Sequence, residues 1–79
     1  MPRLFVLDVP EFAPLLRDAD KAYRIVRAHG YAAIAANDEI VIERNASGLG
    51  DAVWYGALTG GYEGRIAEFS ADRLRIAGA

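Results

Sequence analysis

The sequence predicts a single α+β domain over residues 1–79, in the order β-α-β-β-β-β-β. Three observations carry this. One stretch, Leu15–Ala28, repeats its apolar residues at helical spacing. Around it lie short runs of alternating or continuous apolar character, rich in Val, Ile, Tyr and Phe. Turn-forming Gly, Asn and Asp clusters separate those runs. The expected architecture is one helix packed on a curved, mostly antiparallel sheet or small half-barrel of five to six short strands.

Arg3–Val9 (RLFVLDV) opens the chain as a strand. Leu4 and Val6 point one way, and Phe5, Leu7 and Val9 the other. Both faces are apolar, which predicts a central strand covered on two sides. Pro10 and Pro14 bracket a turn, and Pro14 suits the first turn of a helix, where its missing N–H costs nothing.

In Leu15–Ala28, residues Leu15, Leu16, Ala19, Ala22, Tyr23 and Val26 form the apolar stripe, with Arg17, Asp18, Asp20, Lys21, Arg24 and Arg27 opposite. Arg27 and His29 then sit where cations suit the helix dipole, and Gly30 is a natural stop. Ala22–Arg27 also holds Tyr, Ile and Val, so a strand starting near Lys21 is the rival reading. The clean stripe and the glycine favour the helix.

Tyr31–Ala36 and Glu39–Arg44 read as a hairpin around Asn37-Asp38, with Ile40 and Ile42 facing inward. Asn45–Gly50 (NASGLG) reads as a loop. Asp51–Leu58 has the strongest β character and is again apolar on both faces: Val53 and Tyr55 on one, Trp54 and Leu58 on the other. Tyr62–Phe69 is a further strand, but Ile66 and Phe69 differ in parity, so a bulge lies between them or one points outward. Leu74 and Ile76 alternate with Arg73 and Arg75 in the last strand. The turn-dense Tyr31–Ala77 segment resembles the generic SH3-like small barrel, without a motif specific to any family.

Composition narrows function. The chain has no Cys and one His, so disulfides, Cys-ligated metals and thiol nucleophiles are excluded, and no metal site or cofactor is expected. No apolar run approaches the roughly 20 residues of a membrane span, and no signal-peptide pattern is present, so a cytoplasmic protein without a membrane partner is expected. A net charge of −2 argues against a nucleic-acid grip driven by bulk charge. Lys21 is the only lysine, and the Arg and Ala richness fits a GC-rich bacterial source.

No chemistry-bearing motif stands out. Asn45-Ala46-Ser47 fits a glycosylation sequon but reads as a polar turn. The glycines at 48, 50, 60, 61 and 64 lead into strands, not into the helix start that a phosphate cradle needs. Nothing in the spacing of His29, Ser47 and Ser70 favours a nucleophilic relay, and Asp18/Asp20 and Asp38/Glu39 read as solvated surface. No catalytic residue is assigned. Arg17, Lys21 and Arg24, with Arg73 and Arg75, sit among acids and read as mixed surface pairs.

The remaining signal is aromatic. Trp54, Tyr55, Tyr62 and Phe69 lie near Arg65, the composition that interfaces use, although a plain core would use it too. Trp54 and Tyr55 cannot enter the same core together. Val53, Trp54, Tyr55, Tyr62, Arg65 and Phe69 are therefore the candidate interface residues. A domain this small buries only about 60% of its unfolded surface. One helix cannot cover two strands that are apolar on both faces. The sequence thus points to a non-catalytic accessory or assembly subunit, self-associating or joined to a larger protein in a bacterial enzyme complex. The alternative is a small-barrel binder of nucleic acid or a small ligand through Tyr55, Tyr62 and Arg65.

Overall fold

A computed structural model describes residues 1–78. Strand β1 (Arg3–Leu7) buries Leu4 and Val6 completely and leaves Leu7 exposed. A 3₁₀ turn at Pro10–Phe12 runs into helix α1 (Ala13–Asp20), with Pro14 in its first turn as the sequence predicts. The helix buries Leu15, Leu16 and Ala19.

The helix then ends early, which corrects the longer helix expected over Leu15–Ala28. Residues Arg24–Ala28 form strand β2, which pairs antiparallel with β3 (Tyr31–Ala35). The deciding feature is the two-residue turn between them. His29 has φ 55° and Gly30 φ 81°, the pair of positive values that a type I′ hairpin turn requires. A glycine that stops a helix and one that turns a hairpin look alike in sequence. The β-branched Ile25 and Val26 then favour the extended form.

The hairpin expected at Asn37-Asp38 does not form. Strand β4 (Glu39–Glu43) pairs with β7 (Arg73–Ala77), in a different sheet from β3. Asn37-Asp38 is a crossover, closed by the Gly78 amide donating to the Asp38 carbonyl. The expected loop contains a one-turn helix, α2 (Arg44–Ser47), stopped by Gly48 at φ 71°. The strand expected over Asp51–Leu58 is instead helix α3 (Asp51–Tyr55), flanked by Gly50 and Gly56. Its buried Trp54 and the following Ala57 lie three apart, a helical spacing that strand parity misread.

Tyr62–Phe69 splits into β5 (Tyr62–Glu63) and β6 (Arg65–Phe69). Gly64 lies between them at φ 119°, and a Cβ there would sit 2.5 Å from the Ala77 carbonyl oxygen. The bulge anticipated between Ile66 and Phe69 is present, between Ile66 and Glu68.

The α+β class stands. In place of one curved sheet under one helix, the described residues form seven strands in two antiparallel sheets, ordered β2-β3-β1-β5 and β4-β7-β6, with three short helices. Both sheets feed one core. The first contributes Leu4, Val6, Ala32 and Ile34, and the second Ile40, Ile42, Leu74 and Ile76. Leu15, Leu16 and Trp54 complete it from the helices.

Two polar ties join the parts. The Trp54 indole Nε1 donates to the Ser70 carbonyl at 2.7 Å, fixing α3 over the β6–β7 turn. The Tyr23 hydroxyl accepts from the Val41 amide at 2.8 Å and donates to the Val41 carbonyl at 3.2 Å. Tyr23 thereby serves β4 as a neighbouring strand would.

Two outcomes follow. Trp54→Phe is expected to lower unfolding free energy by about 2–3 kcal/mol, from lost packing and an unpartnered Ser70 carbonyl, as read by urea denaturation. Tyr23→Phe is expected to cost about 1–2 kcal/mol and to speed amide exchange at Val41 selectively, while leaving the Trp54 signal unchanged.

Candidate functional site

Each sheet turns one face to the shared core and one face outward. The two outward faces differ in kind. On the second sheet, strand pairing sets Glu39 beside Ala77, Val41 beside Arg75 and Glu43 beside Arg73. Arg75 binds Glu39 at 2.8 Å, and Arg73 binds Glu43 at 2.7 Å and approaches Glu68 at 3.7 Å. The Arg73 pKa is raised above the ordinary arginine value, first by the hydrogen bond to Glu43 and then by the charges of Glu43 and Glu68. This face is a ladder of matched charges suited to water.

The outward face of the first sheet has no such ladder. Pairing sets Leu7, Tyr31 and Ala28 in one row, Phe5, Ala33 and Val26 in the next, and Arg3, Ala35 and Arg24 in the third. Two rows are wholly apolar. Leu7 is 46% exposed, Val26 53% and Tyr31 43%, and Phe5 is half-buried. The middle strand β3 carries only alanine in the second and third rows. A depression of about 280 Å³ follows it, between Arg3 and Phe5 on one side and Arg24 and Val26 on the other. Met1, 68% exposed, lies at its end. The Arg3–Glu63 pair at 3.3 Å marks the boundary with β5. Contiguous apolar surface of this kind marks an interaction site more often than scattered exposed residues do.

The residues singled out from the sequence are distributed differently. Trp54 is completely buried and belongs to the core. Phe69 lies between the two neighbouring aromatics, its ring centroid 5.8 Å from that of Trp54 and 6.0 Å from that of Tyr55. Val53 packs half-buried against the core, while Tyr55 is 54% exposed. As the sequence required, Trp54 and Tyr55 part company, but around a helix and not across a strand. Tyr62 belongs to β5, beside Leu4 in the first sheet, and Arg65 to β6, beside Ala77 in the second. Gly64 thus splits the supposed aromatic–arginine group between two sheets.

Sequence reading missed Val26, Tyr31 and Ala33 as surface. The apolar outward residues Phe5 and Leu7 of the first strand were visible. Val26 was hidden because it was assigned to a helix stripe, which would have buried it.

Elsewhere the groups needed for chemistry are tied up or apart. No set of three or more His, Asp and Glu side chains is grouped to hold a metal among the described residues. Ser47, fully buried, donates from Oγ to the Arg44 carbonyl at 2.7 Å and accepts from the Leu49 amide. Arg44 also binds Asp51 and the carbonyls of Leu49 and Ala71. A depression of about 360 Å³ beside Tyr23, Asn37 and Asp38 is open, and the Tyr23 hydroxyl is already engaged by Val41. No helix of the described residues is long and apolar enough to cross a membrane.

No family model, curated protein or solved structure matches the chain.

Proposed function

We propose that this chain is a non-catalytic assembly module: an accessory subunit that works through protein–protein contacts, with the outward face of the β2-β3-β1-β5 sheet as its docking surface. The observation that carries the reading is the contrast between the two outward faces. One is covered by ion pairs, and the other exposes two apolar rows. Leu7, Val26 and Tyr31 are each about half exposed, so covering them would contribute roughly 1 kcal/mol apiece. The trough over Ala33 and Ala35 gives a partner's side chains a place to insert. The partner is a second copy or a larger subunit of a cytoplasmic enzyme complex.

The test is a double variant, Leu7→Lys with Tyr31→Ser, against the control Arg73→Ser on the ionic face. Each variant should keep the circular dichroism spectrum of the parent. Sedimentation velocity should show loss of the species bound across this face for the double variant alone. Binding across this face that survives the double variant, or is lost equally in the control, contradicts the proposal.

A further inference from the structure

We infer that this chain also forms a dimer with a second copy, by antiparallel pairing of the two β2 strands into one eight-stranded sheet. The pairing is edge to edge and leaves the outward face open, so it goes beyond the docking reading above and is tested separately from it.

The argument begins with the four sheet edges. Natural sheets blunt their edges, because an open row of N–H and C=O groups recruits another strand. Three edges here are blunted. β5 is two residues long. β6 carries the bulge between Ile66 and Glu68. β4 has the Tyr23 hydroxyl bonded to both the amide and the carbonyl of Val41. β2 has none of these devices. It runs five residues without proline or bulge, in unbroken register with β3 from Arg24↔Ala35 to Ala28↔Tyr31. Among the described residues, no hydrogen bond outside the β2–β3 ladder involves its backbone. It is also the most exposed of the five-residue strands: four of its residues are exposed and Ile25 is half-buried.

The side chains favour β2 itself as the mate. Keeping the two apolar faces on one side restricts which residues lie opposite each other. A register centred on Val26 pairs all five residues, setting each Arg24 against Ala28 and each Arg27 against Ile25. A register centred on Arg27 would oppose two arginines, and one centred on Ile25 would pair only three residues. Arg27 is already neutralised by Asp8 at 2.6 Å. The Val26-centred dimer is isologous and closes at two copies, because each chain has one such edge. It also sets Val26 beside its twin and joins the two apolar faces into one.

Directly opposed residues have Cβ atoms about 5 Å apart, so a charge at position 26 meets its own copy. Val26 is exposed within one chain, so its replacement leaves the core intact. The experiment is sedimentation velocity on the parent, Val26→Lys, Val26→Glu and an equimolar mixture of the two variants. The parent should be dimeric. Each variant alone should raise the dimer dissociation constant at least tenfold. The mixture should return to dimer, because lysine then faces glutamate. In the parent, exchange of the 24–28 amides should slow as protein concentration rises. A monomeric parent, a Val26→Lys variant that dimerises normally, a mixture that stays monomeric, or amide exchange independent of concentration each overturns the dimer. If the parent is monomeric but binds another subunit in a manner abolished by Leu7→Lys with Tyr31→Ser, the docking reading survives without the dimer. If that double variant changes nothing, the docking reading fails, while the dimer is still decided by the Val26 variants.

Discussion

The structure depends on one constraint: a chain of 79 residues builds one core, and that core can cover only one face of each of two sheets. Leu4, Val6, Ala32 and Ile34 on one side and Ile40, Ile42, Leu74 and Ile76 on the other consume the inward positions. The short helices fill the remaining core boundary with Leu15, Leu16 and Trp54. What each outward face carries is therefore left to the sequence of alternate strand positions. The second sheet fills most of them with Glu39, Glu43, Glu68, Arg73 and Arg75, set around Val41 and Ala77. The first fills two rows with Phe5, Leu7, Val26, Ala28, Tyr31 and Ala33, keeps charge only in the third with Arg3 and Arg24, and is left with apolar surface in water.

The polar ties make this division rigid. Tyr23 reaches from the end of α1 to Val41, so the segment that leads into the first sheet also caps the edge of the second. Trp54 holds α3 to the Ser70 carbonyl. These bonds hold the sheets around the shared core and blunt one edge while β2 stays open. Stability and the proposed docking thus fall on different surfaces: the aromatic cluster near Trp54 serves the first, and the β1–β2–β3 face is the one proposed for the second.

Much of this was legible in the sequence, and the failures have physical causes. The first and last strands, the inward pairs Ile40/Ile42 and Leu74/Ile76, the proline-started helix and the bulge after Ile66 all follow from local alternation or backbone chemistry. The helix-to-strand change at Arg24 does not. Its residues fit both periods, and only pairing with β3 through the His29-Gly30 turn decides. Asp51–Tyr55 fails in the opposite direction. Val, Trp and Tyr suit a strand, but tertiary burial of Trp54 beneath α3 overrides propensity. The crossover at Asn37-Asp38 is a long-range choice, since a local turn signal says nothing about which strand comes next in space. For the site, the sequence marked β1 as apolar on both faces, and its outward residues Phe5 and Leu7 do lie on the surface. The interface was attached to Trp54 and its neighbours because helix α3 had been read as a second such strand.

The central claim is that the outward face of the first sheet is occupied when the protein works. Hydroxyl-radical footprinting tests this most directly, because Tyr31 and Tyr55 form a matched pair. They are 43% and 54% exposed in the single chain, one on the face and one off it. The account predicts that Tyr31, Leu7 and Val26 become protected as the assembly forms, while Tyr55 continues to label at its dilute-solution rate. Equal labelling of Tyr31 and Tyr55 at every concentration and with every partner, or protection confined to Tyr55, would contradict it.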